Sequence, residues 1–173
     1  MANEINTDVA VELNITARRN DTFKMLLEVR DPNDSGNLIN LDIALTDDPT
    51  KKQYEAKMTI INLSGDEVLS LFSETWNGVI EGGVDHPVDS LPSPSSPGYY
   101  TGTSGIGSAI FLGAQDGTGG KVAISAPSTY MDFQSGEYLY DFQMRRKVSS
   151  TTTEEYTTWL YGKFILKADI TQL

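Results

Sequence analysis

Gly136-Glu-Tyr-Leu-Tyr-Asp-Phe-Gln-Met144, followed by Leu160-Tyr-Gly-Lys-Phe-Ile-Leu166, decides the fold of this chain. Tyr138, Tyr140, Phe142 and Met144 alternate with polar neighbours and share one face of an extended segment. Leu160, Phe164 and Leu166 make a second apolar row. Successive side chains of a strand leave opposite faces of the pleat, so period-two spacing marks a half-buried strand. The intervening stretch, Arg145 to Glu155, reads as too hydrophilic to bury. Together these segments predict a long antiparallel hairpin closing a two-sheet body.

The same alternation recurs upstream. Val9, Val11, Leu13 and Ile15 predict a first strand. After the polar turn Arg18-Arg-Asn-Asp-Thr22 come Phe23, Met25, Leu27 and Val29, with Leu26 as the one breach. Asp31-Pro-Asn-Asp-Ser-Gly-Asn37 is dense in turn formers, and Leu38, Ile39 and Leu41 follow as a short edge segment. Tyr54, Ala56, Met58 and Ile60 predict a third long strand. Ser64-Gly-Asp66 turns it into a partner containing Val68, Leu69, Leu71 and Phe72. Short strands are expected at Ala109–Leu112 and Lys121–Ile124, with a helical turn or loop over Pro127–Ser135 placing Tyr130 and Phe133 on the core.

From Gly82 to Gly107 the pattern stops. Val84 to Gly98 holds four prolines, which lack a ladder donor and cannot build a central strand. The stretch reads as a structureless insertion projecting from the body, an arrangement usually tied to function. About eight short strands with almost no helix predict one all-β domain over residues 1–173, an immunoglobulin-like antiparallel β-sandwich with a long Pro/Gly/Ser-rich insertion loop.

A chain of 173 residues buries roughly 70% of its unfolded surface. The absence of cysteine excludes disulfides and thiolate chemistry. A formal charge of −11 repels phosphate backbones and anionic membranes, so neither nucleic acid nor membrane is expected as a partner. The opening Met1–Asp8 lacks a basic region followed by an apolar one, and no run approaches the ~20 apolar residues of a membrane helix. A soluble protein made in the cytoplasm is the expectation.

Candidate chemistry is sparse. His86, the single histidine, sits before Pro87 in the insertion and reads as a solvated loop residue rather than part of a triad. Asp31, Asn33, Ser35, Gly36 and Asp42 fall at the first, third, fifth, sixth and twelfth positions of a calcium-loop pattern. Pro32 and the strand-like flanks favour a hairpin turn instead. The pairs Asp47/Asp48 and Glu154/Glu155 lie in polar stretches expected to be solvated loops. The glycines from Gly113 to Gly120 lack the Lys-Ser/Thr ending of a phosphate cradle. Asn14-Ile-Thr16 and Asn62-Leu-Ser64 match the glycosylation tripeptide, without a leader to give them meaning. Neither enzyme activity nor a cofactor is expected. Trp76, Tyr99 and Tyr100, with His86, Pro92 and Pro94 around them, are the interface candidates, because exposed aromatics anchor protein partners or stack on sugars.

Several motifs together resemble one family. They are Asn20-Asp-Thr-Phe23, Asp31-Pro-Asn-Asp-Ser-Gly-Asn-Leu-Ile-Asn-Leu41, Tyr54-Glu-Ala-Lys-Met58, Gly136-Glu-Tyr-Leu-Tyr-Asp141 and Leu160-Tyr-Gly-Lys-Phe-Ile-Leu166. Their order is similar to that of bacteriophage tail and baseplate structural proteins with an immunoglobulin-like β-sandwich, such as the N-terminal domains of baseplate upper proteins. The resemblance implies a virion component, assembled in the host cytoplasm, that docks to other virion proteins in repeated copies at the tail, baseplate or fibre attachment. It carries over no catalytic residue. A head decoration or cement protein, and a carbohydrate-binding module for host-surface glycans using Trp76, Tyr99 or Tyr100, are the alternatives.

Overall fold

The computed structural model describes residues 3–6, 10–30, 36–41, 43–49, 52–73, 99–101, 110–112, 120–149 and 151–169. These are nearly all β and form two sheets. The strands are β1 (Asn3–Asn6), β2 (Val11–Glu12), β3 (Ile15–Arg18), β4 (Phe23–Arg30), β5 (Tyr54–Ile61), β6 (Glu67–Phe72), β7 (Tyr99–Thr101), β8 (Ile110–Leu112), β9 (Lys121–Ala126), β10 (Gly136–Lys147) and β11 (Thr153–Lys167). A 3₁₀ turn, Ser128–Tyr130, falls inside the Pro127–Ser135 segment where a turn was expected.

The four-stranded sheet runs β1-β4-β9-β8, and the seven-stranded sheet runs β2-β11-β10-β5-β6-β7, with β3 also on β11. The expected hairpin is at the centre of the larger sheet. β10 pairs antiparallel with β11 from Gly136↔Leu166 to Lys147↔Thr153, and with β5 from Leu139↔Ile61 to Arg146↔Tyr54. Tyr138, Tyr140, Phe142 and Met144 are all buried on its core face, as are Leu160, Phe164 and Leu166 opposite. Facing them across the core are Leu27 and Val29 of β4 and Val122, Ile124 and Ala126 of β9. Fully burying an aromatic or large aliphatic side chain contributes about 1.5–3 kcal/mol, so the two inner faces supply most of the driving force. Phe23 and Phe164 meet edge to face across the sheets with ring centroids 5.5 Å apart, and Phe133 meets Tyr138 at 5.1 Å. Ser73, just after β6, bridges to Ile110 of β8 and ties the sheets at one side. The Ser64–Asp66 turn is held by Asn62, whose Oδ1 accepts from the amides of Ser64 and Asp66, both at 2.9 Å.

Four expectations need correction. The segment from Arg145 to Glu155 is buried at two positions: β10 runs on to Lys147, and Arg145 and Lys147 are 2% and 1% exposed, whereas Arg146, Val148, Thr151, Thr152 and Glu155 are exposed as expected. Glu154 and Glu155 belong to β11 and not to a loop. Residues 82–107 were expected to be structureless, yet Tyr99–Thr101 pair in parallel with Ser70–Phe72 as β7; the rest of that stretch lies outside the described residues. The expected strand over Val9–Ile15 is two short strands, both parallel to β11, with Val9 outside the described residues and Val11 facing solvent.

The break between β2 and β3 has a physical cause at Gly162. A Cβ there would stand 2.5 Å from the Leu13 carbonyl oxygen. The chain bulges at Leu13–Asn14, so the ladder is completed by substitutes. Leu13 N donates to Tyr161 O at 2.9 Å, and Lys163 N donates to the Asn14 side chain at 2.9 Å. The Tyr140 hydroxyl donates to Leu13 O at 2.7 Å from the strand directly opposite Gly162. A glycine is required because any side chain would collide with backbone, which cannot rotate away. Gly162→Ala is therefore expected to cost about 1–3 kcal/mol, the range for a forced backbone conformation, as a lowered urea midpoint with an unchanged slope.

Candidate functional site

The apolar residues of β5, β10 and β11 leave the opposite face of the seven-stranded sheet to the intervening positions. On β10 these are Leu139, Asp141, Gln143, Arg145 and Lys147; on β5 they are Glu55, Lys57, Thr59 and Ile61. The register sets Arg145 opposite Glu55, Gln143 opposite Lys57, and Asp141 opposite Thr59.

One end of this outer face is an ion cluster with no parallel in the hydropathy pattern. Glu55 is fully buried, Arg145 Nε donates to Glu55 Oε2, and Lys147 Nζ lies 3.4 Å from Glu55 Oε1. Taking such ions from water costs several kcal/mol each, offset only when the partners stay together. The cluster thus fixes the pairing of β10 with β5 more than it stabilises the fold. Glu55→Ala, which removes the carboxylate that Arg145 and Lys147 share, is expected to cost about 3–5 kcal/mol. Joint replacement by Glu55→Leu, Arg145→Met and Lys147→Met is expected to restore the stability or exceed it. Urea titration of both variants checks the pair of outcomes.

The other end is a cleft of about 260 Å³ lined by Lys57, Thr59, Ile61, Leu139, Asp141 and Gln143, with Tyr140 at its base. Gln143 Nε2 donates to Asp141 Oδ2 at 3.1 Å. Lys57 Nζ sits 5.5 Å from the centroid of the Phe72 ring. Desolvation raises the Asp141 carboxyl above its ordinary value, against the charge of Lys57 and the hydrogen bonds from Gln143 and the Thr59 backbone. A carboxyl raised on folding binds its proton more tightly in the native state. Its contribution to stability is therefore fullest below the unfolded pKa and is lost as pH rises through the folded one. Asp141→Asn is expected to raise the urea midpoint at neutral pH and to leave it unchanged in acid below the carboxylate range.

A second cleft, of about 360 Å³, lies between β3 and the start of β4. Arg18, Lys24 and Lys167 line it with a single carboxylate, Asp21, a local excess of positive charge in an acidic chain. The neighbouring Arg19 is engaged with Asp132, its Nε donating at 2.9 Å.

The residues singled out in the sequence are distributed differently. Trp76, His86, Pro92 and Pro94 lie outside the described residues, as do Asp31, Asn33, Ser35 and Asp42 of the calcium-loop pattern. Gly36 adopts φ 73°, a left-handed conformation that suits a tight turn. Tyr99 and Tyr100 come together on β7, the outermost strand of the larger sheet. Among the described residues no group of three or more His, Cys, Asp or Glu side chains is arranged to hold a metal ion, and no helix is long and apolar enough to cross a membrane. Sequence reasoning missed Asp141, Lys57 and Gln143 as a group. Their signal was available, since all occupy the polar positions of predicted strands, but only the register brings them side by side. The chain matches no protein-family model and no curated protein in sequence.

Proposed function

We propose that this chain is a structural protein of a tailed-bacteriophage virion, an immunoglobulin-like β-sandwich that docks to neighbouring subunits at the tail, baseplate or fibre attachment. The ordered set of motifs from Asn20-Asp-Thr-Phe23 to Leu160–Leu166 supports the family. The observation that carries the mode of action is β7. It is the last strand of its sheet and bears Tyr99 and Tyr100, so its outer side has no strand partner among the described residues. An open strand edge is a template for a strand of another chain, and tyrosine is a residue type that interfaces favour.

In this reading the two-sheet body is a rigid spacer and the 84–104 segment is the principal contact element. The work is adhesion to repeated copies of virion proteins and not turnover, and no cofactor enters. The chain is carried in the virion after assembly in the host cytoplasm. The cationic cleft at β3 provides a second contact suited to an acidic neighbour, because the rest of the surface repels one.

The test is incorporation. Gold-labelled antibody against this chain is expected to mark purified phage particles at the tail, and Tyr99→Ala/Tyr100→Ala is expected to reduce incorporation at least about tenfold, as loss of two interface anchors implies. Label on the head would favour the decoration-protein alternative. Absence of the chain from purified particles would overturn the virion reading.

A further inference from the structure

We infer that the cleft on the outer face of the seven-stranded sheet binds a neutral pyranose sugar, with Tyr161 as its stacking surface and Asp141, Gln143 and Lys57 as its hydroxyl partners. The inference stands apart from the virion reading and from the aromatic residues of the insertion. It begins with register. Asp141 of β10 lies opposite Thr59 on one side and Tyr161 on the other, and Gln143 lies opposite Lys57 and Thr158. Directly opposed side chains on one face have Cβ atoms about 4.5–5.5 Å apart, so these groups converge on one spot of the sheet.

The chemistry of the spot is mixed in a particular way. A sugar hydroxyl both donates and accepts. The carboxylate of Asp141 only accepts, the ammonium of Lys57 only donates, and the carboxamide of Gln143 does both. The Gln143–Asp141 hydrogen bond, at 3.1 Å, holds two of these groups in place before any ligand arrives, which lowers the cost of binding. Apolar surface is provided on the same face. Leu139 and Ile61 line the cleft, Leu139 being 42% exposed, and Tyr161, 45% exposed, stands outside that lining, opposite Asp141 in the register. A pyranose has the matching division, with hydroxyls at its rim and C–H groups on its face, and the C–H face packs on aromatic rings.

Charge and size narrow the ligand. One carboxylate and one ammonium leave the cleft without net charge, so it lacks the cation cluster that phosphates and sulfates need. Its volume of about 260 Å³ lies below the ~300–1,000 Å³ of pockets for drug-sized ligands. One sugar residue, free or within a chain crossing the open sheet face, is the fitting occupant. The raised affinity of Asp141 for its proton agrees with a carboxylate held partly out of water and available to a neutral donor.

The test is a titration of the full ¹⁵N-labelled chain with a panel of neutral oligosaccharides of glucose, galactose, mannose and N-acetylglucosamine, with sulfated and sialylated counterparts alongside, read by amide chemical shifts. At least one member is expected to bind saturably, with shifts centred on Lys57, Thr59, Leu139, Asp141, Gln143 and Tyr161. Asp141→Asn and Tyr161→Ala are each expected to weaken it at least about tenfold, with thermal melts showing that both variants fold. Leu26→Ala, exposed on β4 of the other sheet, is expected to leave affinity unchanged. Failure of the whole panel to bind overturns the inference. So does binding that both cleft variants leave intact, or a preference for sulfated or sialylated sugars over every neutral one.

Discussion

The structure depends on one strand being paired on both sides in a single register. β10 meets β11 over its whole length and β5 over most of it. Because side chains alternate along the pleat, that register assigns every residue of β10 to a face at once, and a slip by one would exchange Tyr138, Tyr140, Phe142 and Met144 for Asp141, Gln143 and Arg145 in the core. The cost of such an exchange is the desolvation of several charged groups against the loss of four large apolar ones.

The buried Glu55–Arg145–Lys147 cluster enforces the same register from the other face. Arg145 and Glu55 are directly opposed across β10 and β5, so displacement by one residue would separate them within a buried setting. The apolar face makes the body stable, and the ion cluster makes one pairing preferable to its neighbours. The outer face is consequently organised without being apolar. On it Gln143 is hydrogen-bonded to Asp141 with Lys57 lining the same cleft, a preorganisation that suits a shallow polar cleft for recognition.

Strands with strict alternation were legible from the sequence. The burial of Phe23, Leu27 and Val29, of Ala56, Met58 and Ile60, and of the β10 and β11 rows follows the period-two pattern, and the exposed Leu26 is the breach the pattern marked. Elements that no side-chain periodicity marks were not legible. β1 is Asn3-Glu-Ile-Asn6 and carries no apolar period, yet it lies parallel to β4. β7 follows a proline-rich stretch and joins β6 by ladder bonds that side-chain pattern does not encode. Trp159 was missed as a core residue because a register shift sets Leu160 opposite Phe142 and Thr158 opposite Gln143, leaving Trp159 extra and turned inward. The buried ions were misread because hydropathy treats Arg145 and Lys147 as solvated. Only their partner Glu55, about ninety residues away, reverses that.

These features suit a body whose shape persists while its edges and open face meet other molecules. Hydrogen exchange of the intact protein tests that organisation most directly. The account predicts that the amides of β10 from Leu139 to Arg146 exchange last and together, at the rate of global unfolding, while those of β2, β3 and β7 exchange orders of magnitude faster. Exchange of the β10 amides at the rate of the edge strands would contradict it.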